Sequence, residues 1–239
     1  MCFRMESYLI GNSIVKDIRS REFITISLPG ANWQDIIRYV KERANRFTNS
    51  IIYIHVGPVR FTRIHRTENR KEMQLVDRNT ETVDSIFQEW RPLRENNTIP
   101  VICTLYPADF EKYNNHLAGS STKREGRRII QVGRQILRGF YAENTNKIRG
   151  MVVEENKDIV GYNKSHEMCT PFMHNKIFTR RRQYYNFRST YLCDGLHPTR
   201  DIVSRWKEEV ERVIRLNRAK MDYMRGQWLR HRERKNRRN

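Results

Sequence analysis

Residues 8–15 read Tyr8-Leu9-Ile10-Gly11-Asn12-Ser13-Ile14-Val15, and the reading of the fold turns on them. An apolar run ends at a glycine, a small polar pair follows, and apolar residues resume. That pattern predicts a buried β-strand feeding a tight turn into a helix. A serine in such a turn stands at the carboxyl end of its strand, where open α/β sheets hold their ligands. Asn and Ser are also ordinary helix caps, so the turn alone leaves open whether Ser13 caps or reacts.

Outward from this turn, strands alternate with helices. Phe23-Ile24-Thr25-Ile26-Ser27-Leu28 is β-branched and aromatic, as a second strand should be, and Pro29-Gly30-Ala31-Asn32 breaks it. Trp33, Ile36, Ile37, Val40, Ala44 and Phe47 then recur at helical spacing behind Asn32, a natural cap. Ile51-Ile52-Tyr53-Ile54-His55-Val56 is a nearly continuous apolar strand, of the kind covered on both faces, and it stops at Gly57-Pro58. Residues 60–79 are polar and basic and read as a long loop. Val83, Ile86, Phe87, Trp90 and Leu93 mark another helix, and residues 100–105 a fourth strand. Residues 108–126 read as loop. Apolar residues from Ile129 to Val160 suit one helix or two successive pieces. Met168 to Phe172 is expected as a short fifth strand, kept at an edge by Pro171. A last helix begins near Thr199, with Ile202, Val203, Trp206, Val210, Val213 and Ile214 on one face. The expected architecture is α/β: a flavodoxin-like three-layer sandwich around a mostly parallel five-stranded sheet. It occupies residues 1–216, and a basic, partly helical tail follows over 217–239.

The chain has 239 residues and a formal net charge of +19. Such a field favours polyanions as partners, RNA or DNA among them. Two stretches fit that use. Arg180, Arg181 and Arg182 lie among aromatic residues, an arrangement that can grip phosphates and stack on bases. Arg230, Arg232, Arg234, Lys235, Arg237 and Arg238 crowd the C-terminal end, where a basic run also serves as a nuclear address. The four cysteines are scattered without a C-x-x-C pair. Neither a zinc site nor a disulfide framework is expected, and a reducing compartment fits. No run approaches the roughly 18 apolar residues of a membrane helix. The expected setting is intracellular, cytoplasmic or nuclear.

Asp194 and His197 stand three apart on a loop containing Gly195. A carboxylate so placed can hold one imidazole nitrogen and leave the other to face a nucleophile. With Gly11-Asn12-Ser13 after the first strand, Gly30 after the second, Gly57-Pro58-Val59 after the third and Asp194-Gly195-Leu196-His197 near the end, the chain resembles the SGNH, or GDSL-type, hydrolases over about residues 6–216. The wording of the last motif is similar to SGNH domains of invertebrate mobile elements and some large DNA viruses. The resemblance implies an esterase without metal or cofactor. Ser13 would be its nucleophile, His197 its general base and Asp194 the orienting acid. The backbone N–H groups of Ser13 and Gly30 would form the oxyanion hole.

Two positions depart from the family pattern. Asn12 replaces the Asp beside the nucleophile, which takes no part in proton transfer. Val59 stands where the family has an oxyanion-hole Asn, a loss typically worth about 10²–10³ in rate. Arg60, next in line, is a candidate substitute donor or a selector of anionic substrates. The chain therefore has two readings: an ester hydrolase, or an SGNH-fold nucleic-acid binder with reduced or lost catalysis, as in a mobile element or virus.

Overall fold

Strand β1 (Glu6–Gly11) is buried from Ser7 onward, because it lies inside a parallel sheet rather than at its edge. The structure, a computed structural model, describes residues 5–66, 71–76, 83–120, 126–172 and 189–236. Strands β2 (Ile24–Ser27), β1, β3 (Ser50–His55) and β6 (Thr98–Ile102) form the sheet in that order, every pair parallel. The register sets Gly11 level with Ser27 and His55. The turns that leave β1, β2 and β3 therefore meet at one edge.

Side chains alternate between two cores. Tyr8, Ile10, Ile52, Ile54 and Ile102 face one, shared with helix α1 (Trp33–Lys41), helix α2 (Val83–Trp90) and helix α4 (Gly126–Ser165). Leu9, Ile51, Tyr53, Val101 and Cys103 face the other, against Trp206, Val210 and Val213 of helix α5 (Arg200–Asn236). This is the expected α/β sandwich. Helix α1 starts where the sequence places it, since Asn32 accepts from Asp35 N at 2.9 Å and Asp35 accepts from Asn32 N at 3.1 Å.

The sheet has four strands among the described residues, not five. Residues 168–172 belong to no strand, and their polar groups pair with side chains and loops instead. The Asn217 side chain accepts from Cys169 N at 2.7 Å and donates to Cys169 O at 3.0 Å. Two groups of Thr104, its N–H and its hydroxyl, converge on Pro171 O. The outer edge of β6 is closed instead by Asn163 of α4, which accepts from Ile102 N at 3.2 Å and donates to Ile102 O at 2.8 Å. Asn156, two turns earlier, does the same for Leu105 at 2.7 and 2.9 Å. An amide side chain here does the work of a neighbouring strand.

The expected loop over 60–79 is in part a hairpin. A 3₁₀ turn (Gly57–Phe61) leads into β4 (Thr62–Arg66), which pairs antiparallel with β5 (Lys71–Leu75). Helix α3 (Phe110–Ser120) occupies part of the expected second loop, and the region expected as one or two helices is the single 40-residue α4. Helix α5 runs unbroken through position 217, where the tail was expected to begin. Asn217 is fully buried, and an unbroken exposed run begins at Asp222. No helix of the described residues is long and apolar enough to cross a membrane.

Candidate active site

The turn after β1 is fixed by close packing. A Cβ on Gly11 would stand 2.3 Å from His55 O, so only glycine admits the third strand this near. Asn12 is buried. It donates to Val56 O through its side chain, accepts from Ile14 N at 3.1 Å, and its own N–H donates to His55 O at 3.3 Å. Asn12 thus ties the Ser13 turn to the end of β3 without an ionised group. Ser13 opens a 3₁₀ turn (Ser13–Val15) and stays partly exposed.

Asp194 and His197 meet Ser13 from the other end of the chain. Ser13 Oγ lies 3.2 Å from His197 Nε2, and His197 Nδ1 lies 2.7 Å from Asp194 Oδ2. The second carboxylate oxygen accepts from Leu196 N at 2.8 Å and from His197 N at 2.7 Å. Burial would push the Asp194 carboxyl up. The hydrogen bonds from His197 and Leu196 outweigh it and hold the group down at about 2. An ionised carboxylate only accepts, so Nδ1 carries the ring proton and Nε2 is left to accept from the Ser13 hydroxyl.

The loop carrying this pair docks on the segment after β6. Tyr106, fully buried, donates its hydroxyl to Leu196 O at 2.8 Å, and Asp109 N donates to Gly195 O at 2.8 Å. Lys112 Nζ donates to Leu192 O. Gly195 has φ +94°, and a Cβ there would meet Tyr113 N at 2.5 Å. Burial first, then the nearby Asp194 charge, keep the Tyr106 hydroxyl protonated and hence a donor. The sequence reading missed Tyr106, Asp109 and Lys112. Their partners are backbone carbonyls some eighty or more residues away, which leave no mark on local spacing.

The remaining candidates are placed as follows. Gly30 is in the turn after β2, at φ +77°. Val59 lies in the 3₁₀ turn after β3 and offers only an aliphatic side chain. Arg60 is nearly buried: its Nε lies 3.7 Å from Glu155 of α4, and its guanidinium carbon sits 5.0 Å over the Trp33 ring. Behind the turns, His55 is fully buried with no hydrogen bond on either ring nitrogen, 4.4 Å from the Trp206 ring. Burial pushes its pKa down to about 3, so it stays neutral. Of the basic candidates, Arg230 is exposed on α5, and Arg232, Arg234 and Lys235 lie on the same helix. Arg180, Arg181, Arg182, Arg237 and Arg238 lie outside the described residues.

The four-stranded parallel sheet between two helical layers is a fold this chain shares with GDSL-like proteins of known structure. The chain is similar to a GDSL-like lipase from Bacteroides thetaiotaomicron: 13% identity, TM-score 0.54, covering 91% of this chain and 89% of that one. It is also similar to a protein of the G-D-S-L family from Desulfitobacterium hafniense: 10% identity, TM-score 0.50, covering 87% and 99%. No protein-family profile matches the chain, and no curated protein matches it.

Proposed function

We propose that the protein is a serine hydrolase of ester bonds, with Ser13, His197 and Asp194 as its reacting and orienting groups. The observation that carries this reading is the unbroken relay from Ser13 Oγ through His197 to Asp194, at 3.2 and 2.7 Å. His197 Nε2 takes the hydroxyl proton as Ser13 Oγ attacks the ester carbonyl. Asp194 holds the imidazole in the required tautomer and stabilises the imidazolium that forms. His197 then returns the proton to the leaving alcohol, and a water molecule, activated in the same way, releases the acid.

The oxyanion hole is two backbone N–H groups, those of Ser13 and Gly30. Val59 adds no donor. Arg60 is left out of the hole, because its guanidinium is engaged by Glu155 and Trp33. A hole short of one donor predicts turnover about 10²–10³ below that of a site with three. Labelling with a fluorophosphonate probe tests the reading. The wild-type chain should label, Ser13→Ala should not, and labelling that persists in Ser13→Ala would sink it.

A second reading, nucleic-acid binding, draws on one observation. From Asp222 to Arg225 every side chain on α5 is exposed, and Arg225 and Arg230 lead into the basic end of the helix. The two readings are compatible, since the triad and this end of α5 share no residue.

A further inference from the structure

We propose that the β4–β5 hairpin is the substrate-binding arm of this site, and that the ester it serves is carried on a polyanionic chain. The proposal rests on the ester-hydrolase reading and adds the class of substrate.

The hairpin grows from the corner that touches the nucleophile. A Cβ on Gly57 would stand 2.5 Å from Ile14 Cδ1, and Asn12 donates to Val56 O. Thr62, the first residue of β4, donates its hydroxyl back to Pro58 O at 3.2 Å. The arm is clamped, not draped. At its root, Arg60 pairs with buried Glu155 and lies over Trp33. Val76 N donates to Phe61 O at 2.9 Å. On β5, Met73 exchanges hydrogen bonds of 2.6 and 3.2 Å with the Asn114 side chain of α3. Glu72, the one carboxylate on the hairpin's described residues, accepts from Tyr141 OH at 2.9 Å.

These clamps hold the root and β5. They leave β4 bare. Arg63, Ile64, His65 and Arg66 are exposed, and among the described residues Arg63 and Arg66 meet no carboxylate. Arg63 and Arg66 stand roughly 10 Å apart along the strand, on opposite faces. One small anion cannot satisfy both, whereas a chain of repeated charges laid along the edge of β4 can. The net charge of +19 adds a long-range field of the same sign.

Matched polymers provide the test. O-acetylated dextran sulfate and O-acetylated dextran carry the same scissile acetyl and differ in charge. The expected ratio of kcat/KM favours the sulfated polymer by about tenfold at low salt and collapses as salt rises between about 50 and 200 mM. The double variant Arg63→Glu/Arg66→Glu should lose that preference, and Lys147→Glu on exposed α4 should keep it. Equal kcat/KM for the two polymers overturns the proposal. An acetylated RNA oligonucleotide as a third substrate tells a phosphate chain from a sulfated glycan. Binding of dextran sulfate to Ser13→Ala separates the two levels of inference. If the wild-type chain hydrolyses neither polymer, binding that depends on Arg63 and Arg66 retires the esterase and keeps the arm; binding indifferent to both residues retires the arm.

Discussion

Asp194 orients an imidazole and also fastens the loop that carries it, because its second oxygen accepts from two backbone N–H groups. Its carboxyl is depressed to about 2 in the folded chain, against about 3.9 unfolded. A depressed acid stabilises the fold above its unfolded pKa and loses that contribution as pH falls through its folded pKa. The expected loss is about 2 kcal/mol between pH 5 and pH 2 or so. Asp194→Asn should lack this component, so urea denaturation at several pH values should show a flatter acid limb for the variant. Parallel acid limbs would refute the assignment. The same substitution should lower kcat about 10³–10⁴-fold, since an amide cannot enforce the tautomer. Ser13 shows how little one residue says alone. Its turn is legible as a turn, but cap and nucleophile share that spacing, and it is the 3.2 Å approach of His197 that supports the proposed nucleophile.

Helix α4 explains where the fifth strand went. Asn156 and Asn163 lie seven residues apart, two turns of one helix face, and each offers an amide to a backbone residue beside the sheet edge. Their positions in the sequence mark only weak helix formers. Asn163→Leu would leave the Ile102 N–H and C=O buried without those partners, at a cost of about 2–3 kcal/mol. Thermal denaturation should show Tm lower by about 4–10 °C, and an unchanged Tm would refute the strand-closing role. The hairpin was illegible for a related reason. Thr62-Arg63-Ile64-His65-Arg66 holds one apolar residue, so alternation gives almost no signal, and the partner that fixes its fellow strand is Asn114, 41 residues from Met73. Helix α1, by contrast, is legible throughout, because its cap and its apolar face are both local.

The whole molecule separates its charge from its core. Asp222 onward, seven Lys or Arg stand against two acids, while among the described side chains of α5 the last buried one is Asn217. Helix α5, about 55 Å long, therefore carries its basic segment beyond Met221, the last of its described residues packed on a core. Truncation after Met221 should leave Tm nearly unchanged. It should also reduce the slope of log affinity against log salt for a polyanion, by close to one unit per lost phosphate contact. A large fall in Tm would show instead that the segment is part of the fold.

The sequence by itself determined what depends on neighbours along the chain. Apolar periodicity set the strands and helices, glycines marked the turns at the sheet edge, and chain order brought Ser13, Asp194 and His197 forward as a set. Tertiary structure alone decided what depends on distant partners. It closed the sheet at four strands with asparagine side chains, engaged Arg60 with Glu155 and Trp33, built a hairpin from a polar stretch, and docked the His197 loop on Tyr106, Asp109 and Lys112. The physical reason is the same in each case. Periodicity records which face a residue turns to the core, but a hydrogen bond or ion pair between residues tens of positions apart leaves no period to read.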